Sequence, residues 1–241
     1  MFKLKKLLAC LLRPTFARGL FVAGVAAGVE HKSLFDQLPA LGTVLDIGAN
    51  SGQFALAVRA YCPSAQVLAF EPLSRPAQKF VKVHGRDPKV KLIQAAVGEN
   101  ESALDMHVSA RDDSSSLLEI TERQVATYPG TEEVASERVR VARLLTLVGR
   151  SEIEAPALLK IDVQGYEMQV LKGSSEAIDL FHYIYVECSF VEFYAHQALA
   201  PDVTAWLESR GFRLRALLNK SFSGGELVQA DHLFVRAQGT V

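Results

Sequence analysis

TVLDIGANSGQF, Thr43 to Phe54, joins an apolar run to a glycine turn and then to a helix-forming segment. A short run ending in Asp46-Ile47-Gly48 fits a buried strand, because central parallel strands are apolar on both faces. In the segment that follows, Phe54, Ala57, Val58 and Tyr61 recur at helical spacing. Working outward, Gln66–Phe70 and Val90–Ala95 are the next two strands. SRPAQKFVKVHG lies between them as a shorter helix stopped by Gly85. Strand, helix, strand, helix, strand implies parallel pairing through right-handed crossovers.

Open parallel sheets bind ligands beyond the carboxyl ends of their strands. Gly48 and Gly52 let the chain turn sharply and let a ligand approach closely. Asp46 brings a carboxylate to that turn. AFEP, Ala69 to Pro72, ends the second strand at Glu71, 25 residues after Asp46 (71 − 46). A carboxylate there can accept hydrogen bonds from ribose hydroxyls. The turn is G-x-x-x-G, and Asn50 stands where a dinucleotide fingerprint has its middle glycine. There is no phosphate-binding lysine motif either. The expected ligand is therefore adenosine without a phosphate chain, and S-adenosylmethionine fits. Glycines serving only a strand-turn-helix are the plainer alternative. LDIGANSG and the acid-terminated FEP resemble the first two motifs of class I S-adenosylmethionine-dependent methyltransferases. That resemblance implies that Pro72 flanks the cofactor and that Gln94 and Ala95, after the third strand, lie near the adenine.

LLKIDVQGYEMQVLKG, Leu158 to Gly173, is the second informative segment. A strand from Ala157 to Val163 carries Asp162 at its end, and a helix runs from about Tyr166 to Lys172 with Gly173 just beyond. In a doubly wound sheet this strand lies beside the first, so Asp162 should face the same crevice as Asp46. The alternative is that Asp162 merely caps the helix. Tyr183–Cys188 is the fifth core strand. A helix over Val203–Ser209 follows, then a hairpin of Phe212–Leu218 and His232–Arg236. KIDVQGYEMQVLKG, together with DIGAN and FEP, resembles the FkbM family of methyltransferases, whose pattern is similar to KIDVEGxExxVLxG. Gln164 stands here in place of the commoner acid. VECSFVEFY resembles the family's fifth strand, ending in an acid at Glu187. The resemblance spans about Thr43 to Arg236 and implies O-methylation, often of a sugar or polyketide hydroxyl.

Methyl transfer to oxygen needs an aligned acceptor and a group to take its proton. Asp162 and Glu187 are the candidates, with His107 and His196 as alternatives. The polar stretch from Ser102 to Ala142 is expected to be a loop-rich insertion after the third strand. Its RDDSSSLLEI segment offers Asp113, Ser114 and Ser115 to acceptor hydroxyls, or else caps a turn. Tyr194, in EFYAHQAL, could stack on a sugar ring or sit in the core. Asp162 and Glu187 supply two oxygen ligands for a metal and no third is evident, so metal independence is expected.

The expected fold is thus α/β and Rossmann-like, a doubly wound, mostly parallel seven-stranded sheet with a C-terminal antiparallel hairpin. Residues 41–241 form the methyltransferase domain, with an insertion at about 102–142, and residues 1–40 form a helical extension. The 241 residues are 49% hydrophobic and carry a net charge of −1, which disfavours nucleic acid as a partner. Cys10, Cys62 and Cys188 form neither a zinc motif nor a disulfide framework, pointing to the cytoplasm. MFKLKKLLACLL starts like a signal peptide, but Arg13-Pro14 ends its apolar run. Its lysines and leucines also suit peripheral contact with the inner membrane face. Two rivals stand beside the methyltransferase reading: a nicotinamide-dependent oxidoreductase, disfavoured by the missing glycine, and a non-catalytic scaffold that keeps cofactor binding.

Overall fold

A computed structural model describes residues 13–111 and 113–237. Cys10, the lysine-leucine segment and Asp112 lie outside the described residues. In chain order the strands are β1 (Thr43–Ile47), β2 (Gln66–Phe70), β3 (Val90–Ile93), β4 (Ala96–Val97) and β5 (Ser102–Ser109). They continue as β6 (Glu133–Ala142), β7 (Ala157–Ile161), β8 (Phe181–Ser189), β9 (Phe212–Ser223) and β10 (Glu226–Arg236). The main helices are α1 (Pro14–Ala23), α2 (Gln53–Tyr61), α3 (Ser74–His84), α4 (Glu122–Thr127), α5 (Glu167–Gly173) and α6 (Ala200–Glu208).

A seven-stranded sheet runs β3-β2-β1-β7-β8-β10-β9. The first five strands in that order are parallel, and β10 is antiparallel to both neighbours. Every residue of β1 and β7 is buried, which is why both are mostly apolar in sequence, with Asp46 and Lys160 as the charged exceptions. Side chains alternate between two cores. Leu45 and Ile47 pack with α5 and α6, while Val44, Leu158, Tyr185 and Leu233 pack with α2 and Phe80 of α3. Burying Phe54 of α2 in the second core stabilises the fold by about 2–3 kcal/mol. The switch point of this order lies between β1 and β7, as expected for a doubly wound sheet.

Three expectations need correction. The stretch after the third strand is not mainly loop: β5 and β6 pair antiparallel, β4 joins β6, and α4 lies between β5 and β6. The outer half of β6 is exposed and mixes Glu133, Ser136 and Glu137 with Val134 and Ala135, so no buried apolar run marks it in sequence. The terminal hairpin has no long connection either, because β9 and β10 run on to a tight turn at Gly224-Gly225. Both glycines have positive φ (58° and 86°), which favours a two-residue hairpin turn. β9 is the sheet edge, and its exposed residues mix polar side chains with Leu214 and Phe222. Finally, Gly173 ends α5 from within. A Cβ there would overlap the Gly98 carbonyl, so the glycine permits close packing and does not mark the residue beyond the helix.

Candidate active site

The glycine turn is clamped to β2 from both sides. The Gly48 and Ala49 N–H groups donate to the Phe70 carbonyl at 3.0 and 2.9 Å. The Asn50 N–H donates to Glu71 Oε2 at 2.9 Å, and the Leu73 N–H donates to Glu71 Oε1 at 2.8 Å. Gly48 has φ 78°, and a Cβ there would overlap the Asp162 carbonyl oxygen, so no other residue fits. This turn borders a cavity of about 270 Å³ whose wall includes Gly48, Asn50, Glu71, Pro72, Ala95 and Asp162. Burial raises the Glu71 carboxyl to about 7, against the pull of its two N–H donors. Each of its oxygens accepts one backbone bond and keeps a lone pair for a ligand.

Beneath the cavity Asp46 pairs with Lys160, a residue absent from the expected set. β1 and β7 are in register with Asp46 opposite Lys160, both pointing to the α2 face. Lys160 Nζ lies 2.9 Å from Asp46 Oδ1 and 3.8 Å from Asp162 Oδ2, and it donates to the Gly48 carbonyl at 2.9 Å. It also lies 5.6 Å above the Phe54 ring. Burial raises the Asp46 carboxyl while Lys160 pulls it down. Burial opposes the Lys160 ammonium, but the Asp46 and Asp162 charges outweigh it and raise its pKa. The pair thus holds the turn from below. Asp46 is fully buried and does not line the cavity, which corrects its expected place beside the ligand.

Other expected residues are also displaced. Gly52 (φ 92°) packs on His84 and Phe80 and stands outside the wall. Gln94 turns outward and donates to Ser74 Oγ at 3.3 Å, leaving Ala95 on the wall. His196 is exposed with φ 62°, and His107 pairs with Glu133 at 2.8 Å; neither lines this cavity. Asp162 is not the helix cap, because Glu167 Oε1 accepts the Gly165 and Val163 N–H groups at 3.0 and 3.3 Å. Its carboxylate stays at the cavity instead.

Glu187 and the insertion belong to a second, polar cavity of about 140 Å³, with Asp113, Ser114, Gln124 and Tyr128 on its wall. Ser115 lines the first cavity, and Asp113 borders both. Gln164 (φ 58°) joins the two cavities: its Nε2 donates to Asp162 Oδ1 at 2.7 Å and to Glu187 Oε2 at 2.9 Å. Tyr194 is buried and lines neither cavity. Its hydroxyl donates to Gln164 Oε1 at 2.9 Å, so it fixes the amide instead of stacking on a ligand. Burial, and then Asp162 and Asp231, push the Glu187 carboxyl well above its usual range. Gln164 is therefore the amide that lets two carboxylates stand close. The sequence comparison had singled it out only as a departure from the usual acid.

The wall of the larger cavity carries Glu30, Glu71, Asp113 and Asp162, against one buried lysine and His31. Such a wall repels a pyrophosphate and suits a ligand with a positive centre.

The model of the methyltransferase FkbM domain matches residues 46–214. The chain belongs to the FkbM methyltransferase family. That family implies S-adenosylmethionine as cofactor and transfer of its methyl group as the reaction. Among similar proteins, the 2-O-methyltransferase NoeI of Sinorhizobium fredii is 28% identical over 79% of this chain and 80% of its own. The hexuronic acid methyltransferase AglP of Haloferax volcanii is 27% identical over 59% of this chain and 54% of its own. A protein of the NADB-Rossmann superfamily from Streptococcus agalactiae shares the fold, with TM-score 0.50 at 11% identity over 90% of this chain and 72% of that one.

Proposed function

We propose that this FkbM protein transfers a methyl group from S-adenosylmethionine to a hydroxyl of a sugar or glycosylated metabolite. The observation that carries the reading is the pair of cavities joined through Asp162, Gln164 and Glu187. In the acidic cavity, Glu71 would accept the ribose hydroxyls. The turn at Gly48 to Asn50 would lie along the amino-acid end, and Pro72 and Ala95 would flank the base. When bound, S-adenosylmethionine supplies an electrophilic methyl group on a cationic sulfur.

The remaining tasks fall to the protein's own side chains. Asp162 lines the cofactor cavity and is the base that takes the acceptor's proton. Glu187, with its raised affinity for protons, binds an acceptor hydroxyl from the polar side. Gln164, pinned by Tyr194, fixes both carboxylates, so their separation does not relax as charge moves. Asp113, Ser114 and Gln124 offer the mix of donors and acceptors that sugar hydroxyls need. The names of NoeI and AglP, which specify transfer to oxygen and a hexuronic acid, agree with this acceptor class.

A panel of hexosides and hexuronosides incubated with methyl-labelled S-adenosylmethionine tests the reading. The expected product is a labelled methyl ether on the sugar. Asp162→Asn should lower kcat by about a hundredfold or more with cofactor affinity held within roughly threefold. Label recovered only on nitrogen or as an ester, or full turnover in Asp162→Asn, contradicts it.

A further inference from the structure

The charge of this chain is unevenly divided. Its first 29 residues carry Lys3, Lys5, Lys6, Arg13 and Arg18 and no acidic residue. The whole chain is −1, so the remainder carries −6 (−1 minus +5). An isolated basic stretch on an otherwise acidic protein marks an anionic partner.

The described part of that stretch exposes apolar side chains. α1 packs on α2 and α3 through Phe16, which is fully buried with Leu56 and Val83. Its far side leaves Phe21 77% and Val22 51% exposed. On α3, Val81 is 54% exposed beside the exposed Lys82. Single exposed apolar side chains are ordinary, as Val134 and Phe222 show on the sheets; here it is their coincidence with the basic stretch that is informative. The segment preceding α1 is MFKLKKLLACLL, in which three lysines alternate with leucines.

We infer that this face docks on an anionic lipid bilayer, with Phe21 and Val22 entering the headgroup boundary and the net positive charge of the stretch drawing the chain to the lipid charge. Basic and apolar residues side by side suit such an interface and suit neither a bilayer span nor a nucleic-acid groove. Among the described residues no helix is long and apolar enough to cross a membrane. After α1 the chain turns at Gly24 (φ 66°) and runs to Glu30 and His31, which form part of the cavity wall. Docking would therefore hold that wall near the bilayer, where an acceptor carried on a lipid would be presented. The inference stands on the charge division and the exposed residues, independently of the cofactor assignment.

Sedimentation of the full chain with phosphatidylcholine vesicles, with and without phosphatidylglycerol, tests it. Binding is expected only to the anionic vesicles and should be lost in ~1 M salt. Each lysine should contribute roughly fivefold, so K3A/K5A/K6A should bind about a hundredfold more weakly. F21E/V22E should also release the protein while leaving its thermal midpoint unchanged, because both side chains are exposed. No binding to anionic vesicles at low salt, equal binding to neutral ones, or unaltered binding by F21E/V22E overturns the inference. So does a dimer that F21E/V22E dissociates in the absence of vesicle binding.

Discussion

Replacing Lys160 with methionine probes the charge pair beneath the cofactor cavity. Met keeps the length and apolar stem of Lys but removes the ammonium 2.9 Å from Asp46 Oδ1. At an effective dielectric of about 20, two unit charges at that separation attract by about 6 kcal/mol. Removing one partner of a buried pair typically costs about 3–5 kcal/mol, because the other charge is left unpaired. The same change strips the Gly48 carbonyl of its 2.9 Å donor, so the turn should loosen as well. Asp46→Asn should cost less, about 2 kcal/mol, since Lys160 retains Asp162 at 3.8 Å and the Gly48 carbonyl. The double variant should then be more stable than the two losses summed, by at least ~2 kcal/mol. Urea unfolding of the wild type, both single variants and the double variant measures this directly. Additive losses, or a Lys160→Met cost below ~1 kcal/mol, would refute the role given to the pair.

Two further outcomes follow from the buried carboxyls. Burial raises Glu71 and Glu167 to about 7 and Asp231 to about 6, so the folded chain binds more protons than the unfolded chain in mildly acidic solution. Their contribution is fully present below the unfolded values and is lost as pH rises through the folded ones. Ligand-free stability should thus fall between about pH 4.5 and 7, with Glu71 accounting for about 3 kcal/mol. Glu71→Gln should flatten that slope in urea titrations at the two pH values; an unchanged slope contradicts the assignment. Gln164→Glu would set a third carboxylate 2.7 Å from Asp162 and 2.9 Å from Glu187 in place of the amide donor. It should raise the acidic pKa of the kcat profile by a unit or more, since adjacent like charges favour protonation. A profile that does not move would separate Gln164 from the reaction.

The parts of the site legible in sequence were those on central strands. β1, β2 and β7 are apolar runs that end in glycine or an acid, so the turn, Glu71 and Asp162 could be placed from local pattern alone. Lys160 is different. It reads as one more strand residue, and only the β1–β7 register reveals that it faces Asp46. The available signal was one acid and one lysine inside two otherwise apolar strands, since buried opposite charges seek each other. Glu187 was expected to end its strand, whereas β8 runs on to Ser189, and its link to the cofactor cavity goes through Gln164 in a positive-φ conformation that local pattern does not encode. His31 lies in an unremarkable helical segment and reaches the wall only through tertiary packing. There its Nδ1 lies 3.1 Å from the Tyr185 hydroxyl. Edge strands were the other failure, because the end of β9 from Asn219 to Ser223 and the outer half of β6 face water and carry turn-forming residues such as Asn219, Ser221 and Ser136 among their apolar ones.

The central claim is that the acid-lined cavity at Gly48 and Glu71 takes S-adenosylmethionine. Calorimetric titration of the full chain with S-adenosylmethionine and, separately, with NAD tests it most directly, with Glu71→Ala as the companion variant. The account predicts one S-adenosylmethionine per chain, no NAD binding, and at least tenfold weaker S-adenosylmethionine affinity in Glu71→Ala, for a lost charged hydrogen bond of about 1.5 kcal/mol or more. Binding of NAD alone, or S-adenosylmethionine affinity untouched by Glu71→Ala, would contradict it.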